Sequence, residues 1–281
     1  MNFPKDALKD SILVVAHPDD EVLWFSSVLD AVDKIIICFT DAEHWPELGE
    51  ARKRSLAEHA YRDRIELLDI CQVKSHNKSR WPEPVETDYG LLLDKFPGFD
   101  EPYQEQAQRL KEALEPWLRD AANVFTHNPW GEYGHEDHVQ VSRLTTALAG
   151  QHDTAVWYSN YVSNKSVSLM RRYMHGFGQP YYTMPVDTNR AREIADTYYR
   201  NGAWTWLDDY VWFASEVFVA GPLESRPQPC TGALFPVNYL RVPFEASPDA
   251  RKPKGVYRRT RRLLRNLAGR KKQPADNAPA V

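Results

Sequence analysis

The segment Ala16-His17-Pro18-Asp19-Asp20-Glu21 places one imidazole and three carboxylates within five residues, directly after the apolar run Ser11-Ile12-Leu13-Val14-Val15. Mixed nitrogen and oxygen donors at a strand end are how a divalent-metal site begins. A second cluster, His135-Glu136-Asp137-His138, follows the turn-rich Asn128-Pro129-Trp130-Gly131-Glu132-Tyr133-Gly134 and adds nitrogen donors that the first lacks. Catalytic zinc takes three protein ligands and keeps a fourth position for water, whose pKa it lowers from about 15.7 to about 7. Pro18 stiffens the turn, so Asp19 and Asp20 can diverge, one holding an ion and the other meeting the water. His135 and His138 stand three apart and share a face if a helix starts there, so spacing leaves open which of them ligates.

Elements that could carry these clusters are legible as hydrophobic periodicity. Ser11 to Ala16, Lys34 to Phe39, Asn123 to Thr126 and Ala155 to Tyr158 read as short buried parallel strands. Helical spacing is seen over Glu21–Asp30, Gly49–Ile70, Tyr103–Leu118, Glu136–Leu148 and Asp187–Asn201. Strand, helix, strand within some thirty residues predicts an α/β fold, Rossmann-like, with a mostly parallel sheet flanked by helices and a basic C-terminal tail. Both clusters then lie just past strand ends, the rim at which open α/β sheets bind ligands. Residues 74–102, with Pro82, Pro84, Pro97 and Gly98, read as a long loop covering the site.

Composition narrows the function classes. With 281 residues and 42% hydrophobic, the chain has enough apolar matter for a packed core. No apolar run approaches the roughly 18 to 20 residues that span a bilayer, and the first residues lack a signal-peptide pattern, so a cytoplasmic protein is expected. Cys38, Cys71 and Cys230 are too few and too scattered for a disulfide framework or a thiolate zinc site. The net charge of −4 conceals an asymmetry: eleven of the 35 bases and one of the 39 acids lie in residues 251–281, leaving that tail at +10 and the rest at −14. Residues 1–250 are therefore read as one catalytic domain, with its clusters at 16–21 and 131–138. Residues 251–281 are read as a basic tail, partly amphipathic helix and then disordered.

The His-Pro-Asp-Asp-Glu of residues 17–21, taken with the His-x-Asp-His of residues 135–138, resembles the zinc-dependent deacetylases of the LmbE/PIG-L family, which remove acetyl groups from N-acetylated sugars. The resemblance covers about residues 10 to 160. It implies that His17, Asp20 and His138 are the metal ligands and that Asp19 is the general base. It also implies that His135 stabilises the oxyanion or protonates the leaving amine, with Asp137 orienting His135 and favouring its charged form. Zn2+ is the implied cofactor, although His and Asp ligation accepts other divalent ions. The implied reaction is hydrolysis of the acetamide of an amino sugar in a glycolipid, sugar nucleotide or glycan precursor. The alternatives are a deacylase of another amide, such as a thiol glycoside or an acylated antibiotic, and a non-catalytic metal-containing glycan-binding module.

Residues around this core suggest substrate contacts. The family places a substrate-binding Arg near the start of the helix after its second strand, which points to Arg52 or Arg54, although Ser55 stands where a Glu usually follows. His127 ends a strand at the rim, where it contacts substrate or serves as a hydrogen-bonded structural histidine. Trp204 belongs to the aromatic stretch Trp204 to Phe213, which stacks on sugar rings or fills a core. In the tail, Val256, Leu263, Leu264 and Leu267 recur at helical spacing among arginines, a pattern suited to peripheral contact of residues 251–272 with an anionic membrane on its inner face. The acidic body argues against nucleic acid.

Overall fold

A computed structural model describes residues 8–178, 181–225 and 236–242, without the side chains of residues 175–178. The expected tail 251–281 and its boundary at 250 lie outside the described residues. In chain order the elements are β1 (Ser11–Val15), α1 (Asp20–Trp24), β2 (Lys34–Ile37), α2 (Pro46–Ala57), β3 (Ile65–Leu67), β4 (Glu86–Thr87), β5 (Gly90–Leu91), α3 (Asp100–Arg119), β6 (Asn123–Thr126), α4 (Glu136–Ala149), β7 (Ala155–Ser159), β8 (Tyr161–Ser163), α5 (Val167–Met170), β9 (Tyr181–Pro185), α6 (Thr188–Asn201), β10 (Ser215–Ala220) and β11 (Asn238–Leu240).

Seven strands form one sheet in the order β3-β2-β1-β6-β7-β10-β9. The first five are parallel, and β10 runs antiparallel to both β7 and β9. The mostly parallel, helix-flanked sheet expected from the sequence is therefore present. Every residue of β1 is buried, because helices cover both faces. Ile12 and Val14 face one apolar cluster, while Leu13 and Val15 face the other. The first cluster takes Leu110, Leu114 and Leu118 from α3 and Leu144 and Leu148 from α4. Burying each such leucine contributes roughly 1.5–3 kcal/mol. The second takes Val22 and Trp24 from α1, Leu56 from α2, and Ile194 and Tyr198 from α6.

After β1 the sheet grows outward through β2 and β3, then returns to add β6 on the other side of β1. The carboxyl ends of β1 and β6 thus flank the point at which strand order reverses, where a crevice opens.

Two expected helices are shorter than their periodicity suggests. The one expected over Glu21–Asp30 stops at Trp24, because the N–H groups of Ser26 and Ser27 donate to the buried Glu216 carboxylate on β10 at 3.1 and 2.9 Å. The one expected over Gly49–Ile70 ends at Ala57, and Ile65–Leu67 instead pairs with β2, Ile35 beside Ile65 and Ile37 beside Leu67. Partners distant in sequence decide both cases.

The 74–102 stretch contains the β4–β5 hairpin and is fastened to the start of α4. The Glu136 carboxylate accepts from the N–H groups of Asn77 and Ser79 and from the Trp81 indole at 3.0, 2.9 and 3.1 Å. Lys165 Nζ donates to Asn77 Oδ1 at 2.7 Å and also to the Gly134 carbonyl.

Candidate active site

The turn after β1 presents His17, Asp19 and Asp20 at the crevice. Asp20 opens α1, and its Oδ2 accepts the His17 backbone N–H at 2.7 Å. Asp19 takes a positive φ of 102°, a costly conformation for a residue with a Cβ. It is held there by Glu21, whose Oε2 accepts the Asp19 N–H at 3.0 Å. The second cluster arrives at the N-terminus of α4. Gly131 (φ 65°) is needed in the turn before it, because a Cβ at that position would sit 2.6 Å from the His135 carbonyl oxygen.

These two turns bring His17, Asp20 and His138 together, all of them buried. His17 Nδ1 is 3.2 Å from Asp20 Oδ2, and His138 Nε2 is 3.3 Å from Asp20 Oδ1. Donors about 2.0–2.1 Å from one tetrahedral ion stand about 3.3 Å apart, so this spacing suits a shared cation. His138 Nε2 is buried without a hydrogen-bond partner, which is the expected condition of a nitrogen that faces an ion. Each ligand candidate is also held from behind. Asp137 Oδ2 meets His17 Nε2 at 3.1 Å, Glu132 Oε2 meets His138 Nδ1 at 2.8 Å, and the Trp24 indole donates to Asp20 Oδ1 at 3.0 Å.

Three other donor trios exist among the described residues: His17 with His135 and Asp137, His76 with His135 and Glu136, and His127 with Glu132 and His138. Their carboxylates, like that of Asp20, also serve neighbouring groups. Glu136 serves the 77–81 backbone and indole, while Glu132 accepts the Asn128 N–H at 3.0 Å besides facing two imidazoles. Asp137 faces His17 and accepts the Gln72 amide at 2.9 Å.

Charge follows from this arrangement. Burial alone would raise the Asp20 pKa, but His138, His127 and His17 hold it well below the usual carboxylate range. Asp19 goes the other way, since burial and the neighbouring Asp20 charge push it to about 7 against the hydrogen bond from Thr205. A cation held by Asp20 would draw it down again.

His135 lies beside the trio, and here the expected pairing with Asp137 is corrected. The Asp137 carboxylate serves His17 and Gln72, whereas His135 Nδ1 accepts the Asp137 backbone N–H at 3.1 Å as the N-cap of α4. Burial, with His76, His138 and His17 nearby, pushes the His135 pKa well below its ordinary value. The ring is therefore neutral rather than charged, with Nδ1 occupied as an acceptor and its proton on Nε2.

A pocket of about 220 Å³ opens over the cluster, walled by Tyr133, Trp206, Trp45 and Leu48 with Arg52 and His76 among its polar residues. Of the two arginines expected near the substrate, Arg52 lines this pocket and is buried, while Arg54 is exposed outside it. Arg52 Nη1 reaches only distant acceptors, the Thr40 carbonyl and Gln72 Oε1, both at 3.4 Å, and its Nε has no partner.

His127 does not line the pocket. Its Nε2 accepts the Ala16 N–H at 2.9 Å, its Nδ1 faces Glu132 at 3.0 Å, and its ring stacks on His138 with centroids 4.0 Å apart, so it is the structural histidine. Trp204 is likewise corrected: it is buried in the core with its ring stacked on Tyr199, and Trp206, two residues on, faces the pocket.

The sequence reading missed Glu132, Thr205 and Trp206. Glu132 is the one that left a signal, as an acid between two glycines just before the histidine cluster. Thr205 sits on a connection between α6 and β10 and carries no local pattern.

Residues 12–149 match the model of the PIG-L family, described as GlcNAc-PI de-N-acetylase. The matched stretch is just under half of the chain. Both donor clusters lie inside it, whereas Thr205 and Trp206 lie outside. The chain is 24% identical over 176 residues to an uncharacterised protein of Acanthamoeba polyphaga mimivirus, covering 59% of this chain and 69% of that one. It is 28% identical over 156 residues to a 1D-myo-inositol 2-acetamido-2-deoxy-alpha-D-glucopyranoside deacetylase of Corynebacterium kroppenstedtii, covering 49% of this chain and 40% of that protein's length. Among solved structures, a deacetylase from teicoplanin biosynthesis in complex with teicoplanin aligns over 75% of this chain and 98% of its own, at 12% identity and a TM-score of 0.45. Among the described residues, no helix is long and apolar enough to cross a membrane.

Proposed function

We propose that this chain is a zinc-dependent hydrolase that removes the acetyl group from an N-acetylated amino sugar. The observation that carries the reading is the convergence of the His17, Asp20 and His138 donors beside Asp19, beneath a pocket of about 220 Å³. The PIG-L-family description and the deacetylase name of the corynebacterial relative support the substrate class.

In this reading His17, Asp20 and His138 hold the ion, and Asp137 and Glu132 orient the two imidazoles. A divalent ion there would supply Lewis acidity, polarising the acetyl carbonyl and making a water acidic near neutral pH. Asp19 takes the proton of the attacking water. His135 donates its Nε2 proton as a hydrogen bond to the oxygen on which negative charge develops, which a neutral imidazole does without first being charged. When the tetrahedral carbon collapses, the proton held by Asp19 passes to the nitrogen, and the sugar leaves as an amine with acetate as the other product. Arg52, which lines the pocket, offers its guanidinium to a sugar hydroxyl, and the Trp206 and Tyr133 rings provide an apolar wall for the pyranose.

In the same reading, residues 251–272 bring a cytoplasmic enzyme to an anionic membrane surface that carries a lipid-linked substrate. Truncation at residue 250 is expected to abolish co-sedimentation with anionic liposomes, and unchanged binding would refute that role. The hydrolase reading is tested by incubating the zinc-loaded protein with N-acetylated sugars, glycolipids, sugar nucleotides, thiol glycosides and acylated antibiotics, with release of free amine as the readout. Amine from an N-acetyl sugar, lost on chelation, is expected. Stoichiometric zinc with no amine from any substrate would overturn it in favour of a binding module.

A further inference from the structure

Asp19 is gripped by a part of the chain far from both clusters. Thr205 donates twice to Asp19 Oδ2, from its backbone N–H at 3.1 Å and from its hydroxyl at 2.7 Å. The position of Thr205 follows from the end of α6. Gly202, in the left-handed region at φ 77°, closes the helix, and the Ala203 N–H returns to the Tyr198 carbonyl at 2.9 Å. That turn sends Trp204 into the core and leaves Thr205 at the rim beside α1. The same helix reaches the Asp19 turn a second time, because the Tyr198 hydroxyl donates at 2.8 Å to Glu21, the residue that holds the Asp19 N–H.

We infer that Thr205 is a positioning residue for the general base, its paired donors setting the plane of the Asp19 carboxylate through Oδ2 and leaving Oδ1 to receive the proton. The inference rests on the deacetylase reading, in which Asp19 takes the water proton. It places part of the catalytic apparatus outside residues 12–149. Two donors on one carboxylate oxygen restrict its rotation more than either does alone, and hydrogen bonds to charged groups are among the stronger ones. A tie that merely fastened the 203–206 segment to α1 would affect stability and leave the turnover of the folded, metal-loaded enzyme unchanged.

The test compares Thr205→Val, Thr205→Ser and Asp19→Asn in the zinc-loaded full chain, with methyl N-acetyl-glucosaminide as probe and amine release as readout. Thr205 is exposed, so the two substitutions at that position leave the core intact. Valine removes the hydroxyl and keeps the backbone donor. It is expected to lower kcat about tenfold, the scale of one hydrogen bond to a charged group, with KM and bound zinc unchanged, and serine is expected to restore most of the loss. A valine variant with wild-type kcat beside an inactive Asp19→Asn would overturn the role of Thr205 alone. An Asp19→Asn enzyme with wild-type kcat would overturn the base assignment and this inference with it. Independently of turnover, a crystal structure of Thr205→Val is expected to show the Asp19 carboxylate rotated, and an unmoved carboxylate would count against the proposal.

Discussion

Residues 12–149 and the stretch from α6 to β10 contribute different things to one pocket. The first supplies every donor of the candidate metal centre, on two turns that follow parallel strands, and each donor is backed by a neighbour from the same region. The second supplies no metal donor. It contributes Thr205 to grip Asp19 and Trp206 to wall the cavity. The candidate metal centre is thus confined to the parallel half of the sheet, and the connection into its antiparallel half adds a hydrogen-bonded tie and a cavity wall. Substitutions in the first region should therefore abolish turnover, while those in the second should tune it.

The largest effect is expected at the ligand positions. His138→Ala removes the ring nitrogen Nε2, which has no hydrogen-bond partner and faces Asp20, so the variant should fail to retain zinc after dialysis and release no amine, as read by atomic absorption and the amine assay. Asp19→Asn separates chemistry from binding. It should keep the metal yet lose roughly 10²- to 10⁴-fold in kcat, the usual worth of a positioned base. A smaller loss is expected for Glu132→Gln, which weakens the support behind His138. Zinc affinity should fall about 10- to 100-fold in a competition titration with a chelator, as for other supporting carboxylates.

The tryptophans sharpen the contrast within the second region. Trp206→Ala should raise KM for an N-acetyl sugar, with a smaller stability loss than a fully buried tryptophan gives, because its half-buried ring also packs on Trp24 and Tyr133. Trp204→Ala should do the reverse, with a stability loss of about 3–5 kcal/mol in denaturant titration, because it empties a buried site. Equal behaviour of the two variants would erase the distinction between wall and core.

This division also explains what could be read from the sequence. The two donor clusters were legible because their types and spacing follow strands whose β-branched runs are local signals, whereas the choice of Asp20 over Asp19 and of His138 over His135 came only from the family resemblance. The parallel strands β1, β2, β6 and β7 were legible for the same reason. β3 was not, because Ile65 and Leu67 fit a helical stripe as well as a strand, and only pairing with Ile35 and Ile37 decides between them. The partner of Asp137 was misassigned as well. The family resemblance implied His135, whereas the fold brings His17 from 120 residues away to its carboxylate. Trp204 and Trp206 lie two apart in one aromatic run, and nothing local tells which faces the core. Thr205 has no motif at all, since its role depends on where Gly202 turns the chain.

Whether one cation joins the two turns is decided by anomalous diffraction from crystals of the zinc-loaded protein, measured at the zinc edge. A single strong peak is expected within bonding distance of His17 Nδ1, an Asp20 carboxylate oxygen and His138 Nε2. A peak held instead by His76, His135 and Glu136, or no peak in protein that carries stoichiometric zinc, would contradict it.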